Sequence, residues 1–133
     1  NEFLNNINHF RLENGRAPLK FNLCLTQAAK QHALSMLRDD FFDHVSPSGS
    51  TLRSRVQQTG YNWRFLGENL TAGISLPHEV LHSWINSKSH RKILLKREFI
   101  HAGIFHLYAA NDGGKVIFKD YWVLVLASPV EKD

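Results

Sequence analysis

The sequence predicts an α+β fold: a three-layer α-β-α sandwich with a central antiparallel sheet, formed by residues 1–133 as a single domain. Three observations lead there. Apolar residues recur at spacings of three and four in the first two thirds of the chain, the mark of helices with one buried stripe. Two later segments, 99–108 and 116–127, are rich in branched and aromatic residues and are separated by Asn111-Asp112-Gly113-Gly114, a hairpin signal. Within the second of them Val123, Leu124, Val125 and Leu126 are consecutive apolar residues, so that strand is expected to be covered by helices on both faces.

The elements follow in order. Phe3, Leu4, Ile7 and Phe10 define a first helix that stops at Gly15 and Pro18. Leu25, Ala28, Ala29, His32, Ala33, Met36 and Leu37 define a second, with Asn22 as its cap and His32 as a hydrogen-bonded core residue. Residues 41–49 have no period and read as a loop anchored by aromatic side chains. Ser50 or Thr51 caps a short helix through Leu52 and Val56 that closes at Gly60, and residues 61–72 are extended. A fourth helix carries Val80, Leu81, Trp84 and Ile85. Asn86 and Ser87 favour its end, placing His90 on a polar loop and residues 93–95 in an apolar turn.

A chain of 133 residues with 43% hydrophobic and 21% charged residues buries about two thirds of its unfolded surface without staples. No apolar run is long enough to span a bilayer. The single cysteine, Cys24, excludes an internal disulfide. The chain opens at Asn1 rather than methionine, so a removed signal peptide, lipid anchor or further domain stays open, and with it a peripheral or anchored relation to a membrane. Net charge is +4, but Lys88, Arg91, Lys92, Lys96 and Arg97 form a local basic patch suited to an anionic surface, lipid headgroups or a polyanion. Nucleic acid is not expected, since no aromatic residue is interleaved with these charges.

Two constellations compete for chemistry. His78-Glu79-Val80-Leu81-His82 is a literal H-E-x-x-H, the zinc-protease pattern. Here the apolar stripe leaves both histidines on its flank and turns Glu79 away, and the third ligand of the longer motif is missing, with Ile85 and Lys88 at its positions. The other set is His44, Glu68 and His90, scattered in sequence. Glu68 lies between Leu66 and Leu70, where burial demands a partner or a proton.

The order Phe42-Asp43-His44, Gly60-Tyr61, Gly67-Glu68-Asn69, Trp84 with Asn86-Ser87, Ser89-His90-Arg91, Ile93-Leu94, Gly103-Ile104 and Tyr121-Trp122 resembles the CAP superfamily of cysteine-rich secretory proteins, antigen 5 and pathogenesis-related proteins. It is most similar to the disulfide-free bacterial branch. The resemblance implies an α-β-α sandwich and a cleft of two histidines and two acids. His44, Glu68 and His90 match three of these, while the second glutamate is replaced by Ser87. It further implies a secreted or cell-surface protein that binds lipid, sterol or a protein partner, with zinc held between His44 and His90 as the cofactor to test.

The loss of the second acid weighs against enzymatic activity. The expected function is a non-enzymatic extracellular binding module with a metal-competent cleft. A zinc-assisted protease or esterase with Glu68 as base is the alternative, and a purely architectural role for the three residues is a third.

Overall fold

The computed structural model describes residues 1–115 and 117–131; the expected start of the last strand at Val116 lies outside the described residues. In chain order the elements are α1 (Glu2–Glu13), β1 (Lys20–Phe21), α2 (Leu23–Arg38), α3 (Leu52–Gln58), β2 (Trp63–Ala72), α4 (Pro77–Ile85), α5 (Lys88–Leu94), β3 (His101–Tyr108) and β4 (Asp120–Pro129). The four strands form one sheet in the order β1-β3-β4-β2.

The all-apolar strand explains the layering. β4 pairs antiparallel with β3 on one side and with β2 on the other, so it lies inside the sheet. Its side chains alternate between two cores, as the period of two requires. Trp122, Leu124 and Leu126 pack with Phe3, Ile7, Val80, Trp84 and Leu94 from α1, α4 and α5. Tyr121, Val123, Val125 and Ala127 pack with Leu25, Ala28, Ala33, Met36 and Val56 from α2 and α3. A continuous apolar run therefore has a partner on each face, and the sandwich has three layers.

The caps read from the sequence are present. Asn22 accepts from the Leu25 amide, and Thr51 forms a capping box with Ser54. Gly60 has φ of 87°, the left-handed region glycine enters without strain.

Four expectations are corrected. The sheet is not wholly antiparallel, because Lys20 and Phe21 add a two-residue strand parallel to β3 at its edge. So short a strand has no period of its own and exists through pairing, with the Lys20 amide donating to the Ile100 carbonyl and Asn22 to Ala102. β3 and β4 form the expected antiparallel pair, but β4 starts only at Asp120. Asp112 ties down the segment before it, its carboxylate accepting from the Phe118 and Lys119 amides and the Tyr121 hydroxyl.

The two other corrections concern the segment after α4. His90 sits in a helix rather than a loop, and Ile93 and Leu94 close that same helix instead of forming a separate turn. The segment is too short and too polar to show a stripe. It is held by tertiary bonds: Arg91 donates to the Ile85 carbonyl at 2.9 Å and Asn69 donates to the His90 carbonyl at 3.0 Å.

Candidate functional site

Three elements deliver His44, Glu68 and His90 to one place. His44 comes from the loop after α2, Glu68 from the middle of β2, and His90 from the first turn of α5. His44 and His90 line a cavity of about 370 Å³ together with Phe42, Leu70, Thr71 and Phe118.

The tripeptide Gly67-Glu68-Asn69 organises both histidines, because successive residues of a strand point to opposite faces. Glu68 points toward α3 and accepts from His44 Nδ1 at 2.8 Å. Asn69 points the other way and anchors the backbone of His90. Gly67 leaves space for Phe99, whose ring would lie 2.7 Å from an added Cβ.

Arg55, a residue that sequence reasoning missed, completes the arrangement. Its guanidinium donates to both Glu68 oxygens, at 3.0 and 3.3 Å, and to the carbonyls of His44 and Ser50. Both partners of this ion pair are buried, with side chains 1% and 2% exposed. Nothing in the segment Leu52–Gln58 distinguishes Arg55 from a surface cation, since the charge becomes legible only when Glu68 is placed opposite it.

The imidazoles differ in electrostatics. The Glu68 hydrogen bond raises the His44 pKa above its usual value, against an opposing effect of burial. Burial lowers the His90 pKa, and the neighbouring His44 lowers it further. Ser87, standing where the second glutamate was expected, directs its hydroxyl to His90 Nδ1 at 2.8 Å. Each ring thus has Nδ1 engaged, leaving Nε2 as the nitrogen available to the cavity.

Beneath the cleft lies His32, fully buried, with Nε2–H donating to the Asp43 carbonyl at 2.7 Å. Burial lowers its pKa below 6.5; Glu68 acts in the opposite direction, and Arg55 and His44 add to the lowering. A depressed histidine pKa gives stability that is complete above 6.5 and is lost as pH falls toward the lower folded value. The expected result is that the stability difference between wild type and His32→Gln shrinks as pH falls from 8 to 5, read by urea unfolding. An unchanging difference would contradict it.

The metalloprotease-like motif does not join the cleft. His78, Glu79 and His82 are exposed on α4, and His82 Nε2 accepts from the Asn86 amide at 2.8 Å. Of the basic patch, Lys92, Lys96 and Arg97 line a separate groove, Lys88 is exposed beyond its lining, and Arg91 is committed to Ile85.

Two imidazoles line the cavity beside the Asp43 carboxylate, whose Oδ1 is engaged by the His44 amide at 2.6 Å. Both Glu68 oxygens are taken by Arg55 and His44, and among the described residues no group of three or more His, Cys, Asp or Glu side chains could hold a metal ion. Catalytic zinc ordinarily has three protein ligands, which this set does not provide. An ion-paired Glu68 is also poorly placed to serve as a general base.

The family model described as the cysteine-rich secretory protein family (CAP) matches residues 4–126. The chain belongs to this family. The uncharacterized Bacillus subtilis protein YkwD is 32% identical to this chain over 101 residues, covering 76% of this chain and 39% of that protein. The chain therefore spans well under half of that relative's length.

An outer surface protein of Borrelia burgdorferi has the same fold with a TM-score of 0.85, at 20% identity over 96% of this chain and 90% of that one. An extracellular protein of Bacillus anthracis containing an SCP domain superposes with a TM-score of 0.81, at 24% identity over 95% of this chain and 39% of that one. Among the described residues no helix is long and apolar enough to cross a membrane.

Proposed function

We infer that this CAP chain is a non-enzymatic binding module acting outside the cell or at its surface, and that its cleft holds a divalent cation loosely through His44 and His90. The observation that carries the cation reading is that both histidines line one cavity with Nδ1 already engaged, that of His44 by Glu68 and that of His90 by Ser87, so Nε2 is the nitrogen each ring has left for a ligand. A carboxylate behind a ligating histidine sets its tautomer and raises its basicity. His44 and His90 would hold such a cation through two donors, and the bound cation would supply a contact for a ligand's oxygen atoms. The location rests on the extracellular and outer-surface proteins that share the fold.

Calorimetric zinc titration at slightly alkaline pH, where the proton competes less with metal for His44, tests the cation reading. One site is expected in the wild type, abolished in His44→Ala/His90→Ala, retained in His78→Ala/His82→Ala, and weakened about tenfold or more in Glu68→Gln. Absence of stoichiometric binding, or loss only in the His78/His82 variant, would refute the cleft assignment.

A further inference from the structure

On the opposite face of the sheet from α2 lies an unusual concentration of positive charge with a buried centre. Arg11 of α1 is fully buried, and its guanidinium donates only to carbonyls, those of Ala17, Leu94, Lys96 and Phe99. Among the described residues no carboxylate pairs with it. Burial, with the nearby Arg16 adding to the effect, lowers its pKa to about 10, so it remains a cation at neutral pH. An unpaired buried charge is costly and creates a local potential that counter-charge relieves.

Directly above the turn that Arg11 holds is a groove of about 640 Å³, a size suited to a discrete ligand. Arg16, Lys92, Lys96 and Arg97 surround it, and Glu98, the sole acid in its lining, pairs with Lys96 at 3.8 Å, which leaves three cations in excess. Arg16 is fixed by donating to the Leu95 carbonyl at 2.6 Å and to Asn14 at 3.2 Å, so its position is built rather than left to a free side chain. Ile93 and Leu95 supply an apolar floor, with Leu66 of the edge strand β2 also in the lining. The groove shares no lining residue with the His44–His90 cleft.

We propose that this groove binds a multiply charged phosphate-bearing chain, with phosphates on Arg16, Lys92 and Arg97 and the linking atoms on the apolar floor. Charge complementarity selects an anion, and three excess cations around a concavity suit several phosphates at once better than a single carboxylate. The concave shape favours a chain that enters over a flat bilayer that rests on the surface. Nucleic acid is disfavoured because the adjacent aromatic ring, Phe65, already carries Lys96 at 5.0 Å and Arg64 at 5.4 Å, leaving no open platform for base stacking.

The test uses inorganic tripolyphosphate as probe, titrated calorimetrically into the wild type, into Lys92→Gln/Arg97→Gln, and into Lys20→Gln/Lys30→Gln, which removes the same charge elsewhere. Circular dichroism checks that each variant is folded. Vesicles containing phosphatidylglycerol and a single-stranded RNA oligomer form parallel arms. The expected result is saturable tripolyphosphate binding that weakens at least about tenfold in the groove variant and less than about threefold in the control, decreases with added salt, and raises the melting temperature of the wild type. Equal weakening in both variants would reduce the effect to general charge attraction and overturn the proposal. So would preferential binding to vesicles or RNA, or absence of tripolyphosphate binding. Zinc binding at the other cleft is read separately, so a failure at one site does not count against the other.

Discussion

Replacing Arg55 with methionine is expected to destabilise the fold by about 3 kcal/mol or more, the cost typical of removing one member of a buried ion pair. Glu68 would keep its hydrogen bond from His44 but lose the cation that meets both of its oxygens. The carboxyl group would then have to take up a proton or draw in water. The loop before α3 would suffer as well, because the same guanidinium ties down the carbonyls of His44 and Ser50. Urea unfolding of Arg55→Met, Glu68→Leu and the double variant separates these contributions. The double variant should recover part of the loss, since two apolar side chains in the same volume leave no orphaned charge. If the three variants were equally stable to within a few tenths of a kcal/mol of wild type, the ion pair would not be the anchor of the cleft.

Legibility in the sequence followed the range of the interaction. α1 and α2 were legible because each repeats its apolar contacts every three or four residues, and β4 because burial on both faces leaves no polar residue from Tyr121 to Ala127. Burial of Glu68 was readable from its apolar neighbours. The helix holding His90 was not, because its seven residues place one side chain, Leu94, in the core and depend on bonds from Asn69 and to Ile85.

The two buried arginines were harder still. Arg55 looks like any cation on a short helix until its partner thirteen residues away is placed. Arg11 did carry a signal, since it continues the stripe of Leu4 and Ile7 at the next helical step, and all three are buried. The motif Gly67-Glu68-Asn69 was visible as a string, but the reason for all three residues is three-dimensional: a ring packs on the first, His44 bonds the second, and the third holds the backbone of His90.

Substituting alanine for Gly103 should be at least as damaging as the loss of Arg55, for a steric reason. Gly103 lies on β3 opposite Val125 of β4, under the first turn of α2. An added Cβ would fall 2.1 Å from the Thr26 nitrogen, 2.2 Å from the Leu25 carbonyl carbon and 2.7 Å from its oxygen. These are backbone atoms, so no rotamer change relieves the contact and α2 must move away from the sheet. That movement would loosen Leu25, Ala28 and Ala29, all fully buried. A cost of about 3 kcal/mol or more is expected, lowering the melting temperature by roughly 10 °C for a chain of this size.

Gly67→Ala is the informative comparison. Its new methyl would meet the Phe99 ring and the Ile93 side chain, which can shift, so a smaller loss is expected there. The Gly103 effect should also reach the cleft. α2 carries His32, whose ring donates to the Asp43 carbonyl immediately before His44, so displacing the helix pulls on the loop that presents one of the two imidazoles. Gly103→Ala should therefore lower both the melting temperature and zinc affinity, whereas a variant that melts early but binds zinc as the wild type does would show that the His44 loop is positioned by Arg55 and Glu68 alone.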